Sequence, residues 1–306
     1  MRASIRDIPP NAKWAQNGVT VAGGYGKGSA LNQLSDPRGI FVDDAMTIFI
    51  ADWGNHRIMS WKAGAMVGQV VAGGNGPGDG THQLNHPFDV IVDKTTDSLI
   101  ISDNNNRRVV QWPLQNGNHH EIMITNIQAT GLTIDDNDQL YVADWEKHEV
   151  RRYQCGDTKG TIVAGGNEYG ERLDQLSSPC CIFIDREHSV YVSQLQDCRV
   201  VKWQQDATQG TIVAGGQGEG SNLTQLHSPM GVVADQLGTV YVADHYNHRI
   251  MCWPKGATRG SVVIGENGSG DQSNQLYWPL GLSFDRHGNL YVADVGNHRV
   301  QRFDLQ

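Results

Sequence analysis

Histidines are the first residues of this 306-residue chain that suggest chemistry, because neutral imidazoles bind metals and transfer protons. Four of them recur in one sequence context: His56, His148, His248 and His298. A side chain that returns in every copy of a repeat belongs first to its scaffold. We therefore interpret these four histidines as structural.

Three cysteines offer a second kind of site, for zinc or another soft metal. Cys180 and Cys181 are adjacent, and Cys198 follows eighteen residues later. A structural zinc site needs four ligands in a tetrahedron. The predicted strands separate Cys198 from the other two by about 9 to 10 Å, which is too far for shared coordination or a disulfide. Sequence drift in one repeat explains these cysteines better than a metal site.

Oxygen ligands and a proton-transfer pair complete the candidates. Asp89, Asn104 and Glu146 could hold part of a calcium shell, but three ligands fall short of the six to eight that Ca²⁺ takes. His245 with Glu146 could perform general acid–base catalysis, although nothing in the sequence brings them together. The sequence thus predicts no bound cofactor, with Ca²⁺ or Zn²⁺ as the alternative.

A phrase repeated six times indicates the elements that carry these residues. It first reads Ala51-Asp52-Trp53-Gly54-Asn55-His56-Arg57, and its anchor position recurs at residues 52, 103, 144, 194, 244 and 294. A period of 50 or 51 residues, with one short unit of 41, is typical of arrayed supersecondary units. Each unit before the last contains four short apolar runs bounded by turn residues, which predicts four antiparallel strands per blade. The fold class is therefore all-β, a β-propeller of six four-stranded blades.

The two ends of the chain predict how the ring closes. The last unit supplies three strands, and residues 18–24 near the N-terminus supply a strand with no partners before it. Placing that strand in the last blade closes the ring and removes its exposed edges. We predict an N-terminal extension over residues 1–17 and one propeller domain over residues 18–306.

The repeated triplets resemble those of the NHL-repeat β-propellers, which are named for such residues. The match rests on Asn55-His56-Arg57, Asn247-His248-Arg249 and Asn297-His298-Arg299, and it runs from about residue 18 to the end. The resemblance implies an ion pair within a blade between the anchor Asp and the Arg five residues later. The family includes protein-binding modules, RNA-binding domains, extracellular sensors and an amidating lyase, so it predicts fold better than function.

Positions that differ between repeats predict a ligand-binding face around the mouth of the central channel. They follow the anchor residue or the proline that opens each inner strand. We expect the following to carry the site: Arg38, Trp53, Phe88, Asp89, Asn104, Trp145, Glu146, Gln194, His245 and Tyr246. Trp, Tyr and Arg are the residue types enriched in binding hot spots.

Two classes of function compete for this face. The first is a binding scaffold for a protein, peptide or glycan, which we favour. The second is a metal-assisted hydrolase or lyase at the channel mouth. The lyase of the resembled family uses histidines directly after the inner-strand proline, and this chain has none there, which argues against that activity. The residues at those positions are Arg38, Phe88, Cys180, Met230 and Leu280.

Charge and composition narrow the partners further. The net charge of −9 argues against a nucleic-acid ligand, which needs a basic face, and an RNA-binding propeller remains only a second alternative. The chain contains no run of eighteen apolar residues, so the sequence predicts no membrane span. Residues 1–7 lack the apolar core of a signal peptide, so we expect an extracellular location only where such a peptide has been removed. We expect a monomer.

Overall fold

The computed structural model describes residues 8–9, 11–115, 120–154 and 156–306. Within these ranges the chain forms six four-stranded antiparallel sheets, as predicted. The expectation about a signal peptide in residues 1–7 lies outside them. The described part of the chain contains no helix with the length and hydropathy of a membrane span.

Each of the first three blades uses four consecutive strands, from the channel outwards. Blade 1 contains β2 (Pro37–Val42), β3 (Ile48–Asp52), β4 (Arg57–Trp61) and β5 (Gln69–Gly73). Blade 2 contains β6 (Pro87–Asp93), β7 (Ser98–Asp103), β8 (Arg108–Pro113) and β9 (Glu121–Thr125). Blade 3 contains β10 (Ala129–Ile134), β11 (Leu140–Asp144), β12 (Glu149–Tyr153) and β13 (Thr161–Gly165).

The remaining blades follow the same order, and the last one closes the ring. Blade 4 contains β14 (Pro179–Ile184), β15 (Val190–Gln194), β16 (Arg199–Trp203) and β17 (Thr211–Gly215). Blade 5 contains β18 (Pro229–Ala234), β19 (Val240–Asp244), β20 (Arg249–Trp253) and β21 (Ser261–Ile264). Blade 6 contains β22 (Pro279–Phe284), β23 (Leu290–Asp294), β24 (Arg299–Phe303) and the N-terminal β1 (Val19–Gly23). The pairing of β1 with β24 confirms the predicted closure.

The core lies between neighbouring blades, because each sheet buries apolar side chains on both faces. One leucine from the loop before each of five inner strands is fully buried; these are Leu34, Leu84, Leu176, Leu226 and Leu276. The proline at the start of an inner strand, such as Pro37, occupies a position where a missing N–H costs no ladder bond. These regular contacts leave the loops at the two ends of the ring to differ from blade to blade.

The ring has two faces, which we call upper and lower. The upper face carries the starts of the inner strands and the turns that join second and third strands. Four of those turns are short 3-10 helices: Trp53–Asn55, Asn104–Asn106, His245–Asn247 and Val295–Asn297. The lower face carries the turns that join first to second strands and third to fourth strands. The predicted binding residues belong to the upper face.

Candidate functional site on the upper face

The repeated anchor residue is the centre of a buried polar cluster inside each blade. In blade 1, Asp52 accepts hydrogen bonds from the Ser35 backbone N–H and the Asn55 side chain, at 2.7 and 2.8 Å. Its Oδ2 also lies 2.7 Å from Arg57 Nε, with both side chains buried. Equal Asp–Arg pairs occur in blades 2, 5 and 6 at the same distance. The predicted ion pairs are therefore present, and they serve the scaffold.

The repeated histidines connect one blade to the next. Nδ1 of His56 accepts a hydrogen bond from the His86 backbone N–H at 3.1 Å, and His148, His248 and His298 make equivalent bonds at 3.2 to 3.3 Å. Burial lowers the pKa of each of these four imidazoles. A neutral imidazole keeps the lone pair that accepts this hydrogen bond. The four histidines therefore fasten neighbouring blades of the propeller to each other.

Gln194, one of the predicted face residues, is fully buried and contributes no ligand-accessible surface. Its Oε1 accepts hydrogen bonds from the Ser177 hydroxyl at 3.2 Å and from the Arg199 guanidinium at 3.3 Å. It therefore replaces the anchor Asp inside blade 4. Its inclusion among the binding residues is a correction that follows from the anchor position pointing into the blade.

Two of the three cysteines of blade 4 lie side by side, and the third lies apart from them. Cys180 Sγ lies 3.8 Å from Cys181 Sγ and 3.4 Å from Met230 Sδ, near the channel. Cys198 is buried with its thiol 3.5 Å from the Leu195 carbonyl oxygen, at the turn. Burial raises the pKa of the Cys198 thiol. Burial and a raised thiol pKa are both typical of a cysteine that packs in a core.

The mouth of the channel on the upper face is filled by apolar side chains. Phe88, Cys180 and Leu280 form one buried cluster, with Trp145 and Met230 packed against it. Because the first three come from blades 2, 4 and 6, the cluster spans the axis of the ring. A ligand on this face must therefore lie across the mouth rather than enter the channel.

Arg38 lies at the edge of this apolar cluster, between two aromatic rings. Its guanidinium carbon is 4.2 Å from the centroid of Trp53 and 5.0 Å from that of Phe88. Partial burial lowers its pKa, and none of the hydrogen bonds or ion pairs among the described residues uses its guanidinium. The guanidinium therefore contacts two rings and has no acceptor among the described residues.

Further aromatic groups lie on the upper face. The ring of Trp53 packs 4.0 Å from that of His86, and Tyr246 and Trp278 are 49% and 37% exposed. His245 is buried between Tyr246 and Trp278, and its Nδ1 lies 3.1 Å from the Pro279 carbonyl oxygen. Burial lowers the pKa of His245 to about 4, so its ring is neutral and donates to that oxygen.

The three predicted oxygen ligands each have a different partner. Asp89 Oδ2 accepts a hydrogen bond from the Leu132 backbone N–H at 2.9 Å, which ties blade 2 to blade 3. Asn104 donates to the Ala129 carbonyl oxygen at 2.8 Å. Glu146 is exposed and pairs with Arg107, which lowers the pKa of the Glu146 carboxyl. The structure therefore gives each group a separate contact instead of one shared centre.

The lower face holds two features that the sequence did not reveal. Asp135, Asp136 and His188 are the one described group whose ligand atoms all lie within 4.8 Å of one another. Asp135 already accepts hydrogen bonds from two N–H groups of its own turn and from the Tyr141 hydroxyl. A cavity of about 850 Å³ lies beside this group, mainly between blades 4 and 5.

Comparisons with known proteins agree on the fold. The sequence profile of the NHL repeat matches residues 127–153, 226–253 and 276–303. A crystal structure of a protein of unknown function from Bacteroides thetaiotaomicron superposes with a TM-score of 0.73 at 15% identity, covering 96% of this chain and 77% of that one. No curated protein is significantly similar in sequence.

Two more solved structures have described activities. An auxiliary nutrient binding protein from Bacteroides thetaiotaomicron gives a TM-score of 0.63 at 17% identity, covering 96% of this chain and 77% of that one. A catalytically inactive virginiamycin B lyase from Staphylococcus aureus, solved with quinupristin, gives 0.60 at 12% identity, covering 97% of this chain and all of that one. At these identities the likeness is one of fold alone. The matched repeats and the six blades show a six-bladed β-propeller that contains NHL repeats.

Proposed function

We propose that this propeller is a binding scaffold whose upper face holds a peptide segment of a partner protein, through a carboxylate on that segment. The observation that supports this most strongly is Arg38, a partly buried cation stacked between Trp53 and Phe88 with no acceptor among the described residues. An acidic glycan would present the same carboxylate, so the experiment below compares the two sources.

The energetics of Arg38 favour an anionic ligand. Withdrawing a charge from water is costly unless a partner compensates, and stacking on an aromatic ring returns only about 0.5 to 2 kcal/mol. A carboxylate would add two parallel N–H···O bonds to the guanidinium. The protein has a net charge of −9, so this local cation also sets where an acidic group can dock.

The surroundings of Arg38 suit a peptide better than a small anion from solution. Trp53, Tyr246 and Trp278 are partly exposed aromatic groups of the types that dominate binding energy at protein interfaces. The filled channel mouth supplies a flat apolar floor around Phe88 and Trp145. A short segment with one acidic and one aromatic residue would contact both the cation and this floor.

The enzyme alternative has less support from the geometry. His245 uses Nδ1 on the Pro279 carbonyl oxygen, and Glu146 pairs with Arg107, so each candidate for proton transfer has a structural partner. RNA binding would need several free cations, yet Arg107 and Arg108 are both paired with carboxylates.

Peptide titration tests the proposal. Three labelled hexapeptides would share one aromatic residue and differ beside it, with Asp, Asn or Lys, and their binding would be followed by fluorescence polarisation. We expect the Asp peptide to bind at least about tenfold more tightly than the Asn peptide, a difference of about 1.4 kcal/mol. Arg38→Met keeps the apolar packing and should abolish the preference.

The matched control is Arg186→Met, which removes an exposed arginine from the lower face. It should leave the preference for Asp intact. An oligosaccharide ending in a uronic acid, compared with its neutral counterpart, forms the second arm. Equal binding of all three peptides, or a preference that survives Arg38→Met, would rule out the proposed role of this arginine.

A further inference from the structure

We propose that Cys180, Cys181 and Met230 form a binding site for a soft monovalent metal ion, Cu(I), at the channel mouth of the upper face. The two thiols belong to β14 of blade 4 and the thioether belongs to β18 of blade 5, so the ion would join neighbouring blades. This site goes beyond the proposed function, because a carboxylate on Arg38 needs none of the three sulfur atoms.

A bulge in the inner strand of blade 4 brings the two adjacent thiols together. In a regular strand, the side chains of consecutive residues point to opposite faces of the sheet. Between Pro179 and Ile182, however, the register of β14 against β15 shifts. Such a bulge breaks the alternation of side chains. The sulfur atoms of Cys180 and Cys181 lie 3.8 Å apart, so both can bind the same ion.

The position of Cys181 is one from which most blades exclude a side chain. The equivalent residue is glycine in four other blades: Gly39, Gly131, Gly231 and Gly281. A Cβ atom at Gly231, for example, would lie 2.2 Å from the Leu280 carbonyl oxygen of the next blade. The remaining blade has Asp89, whose carboxylate accepts a hydrogen bond from the Leu132 backbone N–H. A side chain therefore occurs at this crowded position only with a polar or metal-binding group.

The separations between the sulfur atoms suit one shared ion. Cys180 Sγ lies 3.8 Å from the second thiol and 3.4 Å from Met230 Sδ. Sulfur binds a d10 ion such as zinc at about 2.3 Å, so two sulfur ligands at the tetrahedral angle lie about 3.8 Å apart. The methionine side chain is flexible and can shift to the same separation. The three sulfur atoms therefore need little rearrangement to bind an ion.

The types of ligand favour Cu(I) over zinc. Thiolate and thioether sulfur select Cu(I), whereas a structural zinc site takes four ligands. In the part of the chain that the structure describes, the only three His, Cys, Asp or Glu ligands within 4.8 Å of one another are those of the Asp135 group on the lower face. The two thiols are thus joined by the thioether of Met230 alone, and three sulfur ligands are a complete set for Cu(I).

Arg38 compensates the charge of the loaded site. Each thiol must lose its proton to bind the metal, so one Cu⁺ ion with two thiolates and a thioether carries a net charge of −1 and releases two protons. Burial lowers the pKa of Arg38, whereas Cys180, Asp36 and Cys181 act to raise it. The guanidinium is therefore within electrostatic reach of both sulfur atoms, and its positive charge offsets that of the complex.

The surroundings of the three sulfur atoms admit an ion but disfavour water as a competing ligand. Cys180 is buried, whereas Cys181 and Met230 are partly exposed. Phe88 and Leu280 belong to the same apolar cluster. An apolar shell around a metal site limits the access of solvent, which helps to hold a soft ion on sulfur.

Transfer of copper from a coloured chelator tests the proposal. The full chain, reduced and kept under anaerobic conditions, is titrated with the bis-bicinchoninate complex of Cu(I), and the loss of that complex is followed by its absorbance. We expect the wild type to withdraw one equivalent of Cu(I). Cys181→Ser should weaken binding at least about 100-fold and Met230→Leu at least about tenfold, because each variant removes one ligand.

Matched variants and a spectroscopic measurement complete the test. Cys252→Ser, on β20 of blade 5, and Met66→Leu, at an exposed methionine, make the same changes elsewhere and should leave Cu(I) binding within about twofold of the wild-type value. X-ray absorption of the loaded wild type requires no variant to fold, and it should show sulfur ligands at about 2.3 Å.

Three results would overturn the proposal. The first is a wild type that takes up no Cu(I) from the chelator. The second is binding to Cys181→Ser or to Met230→Leu that is as tight as binding to the wild type. The third is an X-ray absorption spectrum in which nitrogen or oxygen ligands surround the bound copper.

Discussion

At the level of single residues, blade 4 exchanges two side chains of the repeated polar cluster. The other regular blades have Asp at the anchor and Asn three residues later, whereas blade 4 has Gln194 and Asp197. The carboxylate has moved along the turn, and Asp197 Oδ2 now lies 2.9 Å from the Arg199 guanidinium. The exchange preserves the ion pair but leaves Gln194 Nε2 buried with no hydrogen-bond partner.

The double substitution Gln194→Asp with Asp197→Asn should therefore stabilise the protein. It restores the cluster of blade 1 and removes a buried unsatisfied donor, whose cost is about 1 to 3 kcal/mol. We expect the free energy of unfolding to rise by about 1 kcal/mol, measured by denaturant unfolding. Gln194→Asp alone should be destabilising, because two buried carboxylates would then share Arg199. A double variant less stable than the wild type would contradict the exchange.

His245 gives a residue-level prediction of pH dependence. Its pKa in the folded protein is lowered to about 4, below the usual value of about 6.5. Its contribution to stability is therefore complete above pH 6.5 and is lost as the pH falls towards 4, because the unfolded chain binds the proton first. In an NMR titration the ring signals of His245, assigned with His245→Asn, should not shift between pH 7 and pH 5. A midpoint near pH 6.5 would show that the ring is not buried in solution.

At the level of elements, the hydrogen bonds from histidines to the following blade fasten neighbouring sheets to each other. His56 adopts a left-handed backbone conformation with φ of 55°, which directs its ring towards the N–H of His86. The bond requires an unprotonated Nδ1, and burial lowers the pKa accordingly. Blade docking should therefore weaken as the pH falls below about 6.5, the usual value for histidine.

His56→Asn tests this coupling between blades. Asn tolerates the left-handed conformation, so the change removes the imidazole Nδ1 acceptor with little backbone strain. We expect a loss of about 1 kcal/mol at pH 7 and a smaller fall in melting temperature from pH 7 to pH 5 than in the wild type. His287→Asn, at an exposed histidine, should leave the pH dependence unchanged. An unchanged pH dependence in His56→Asn would exclude the bond as its cause.

At the level of the whole molecule, the ring is closed by more than the strand β1. Trp14 is buried between blades 5 and 6, and Leu305 near the C-terminus forms a bridge with it. The two ends of the chain therefore meet in one blade interface. Because every other blade is continuous, this interface is where opening of the ring should begin.

Trp14→Ala should lower the stability of the whole propeller. Truncation of a buried tryptophan costs about 3 to 5 kcal/mol, through lost burial and the cavity left behind. Hydrogen exchange should increase first in β1 and β24, before the other blades. Met66→Ala, at a side chain that is 78% exposed, is the control and should change stability little. Equal exchange in all six blades would contradict closure as the weakest point.

The regular part of this structure was predictable from the sequence, because each repeat must build the same turn and pair the same strands. An Asp and an Arg five residues apart recur only where the same turn is built, and a spare strand at one end must pair with a spare edge at the other. The number of blades, the strand order and the closure follow from these constraints.

The site was predictable only in part. Variation between repeats selected residues that the structure places on the upper face, but Gln194 shared that variation and is buried. The packing of Phe88 with Cys180 and Leu280 joins side chains from alternate blades across the axis, a relation that no local pattern contains.

A crystal structure of the propeller with the tightest acidic hexapeptide tests the central claim most directly. We predict that the peptide carboxylate lies within hydrogen-bond distance of the Arg38 guanidinium, with the peptide aromatic ring against Trp53 or Trp145. A peptide that binds elsewhere, with Arg38 still without an acceptor, would contradict the account.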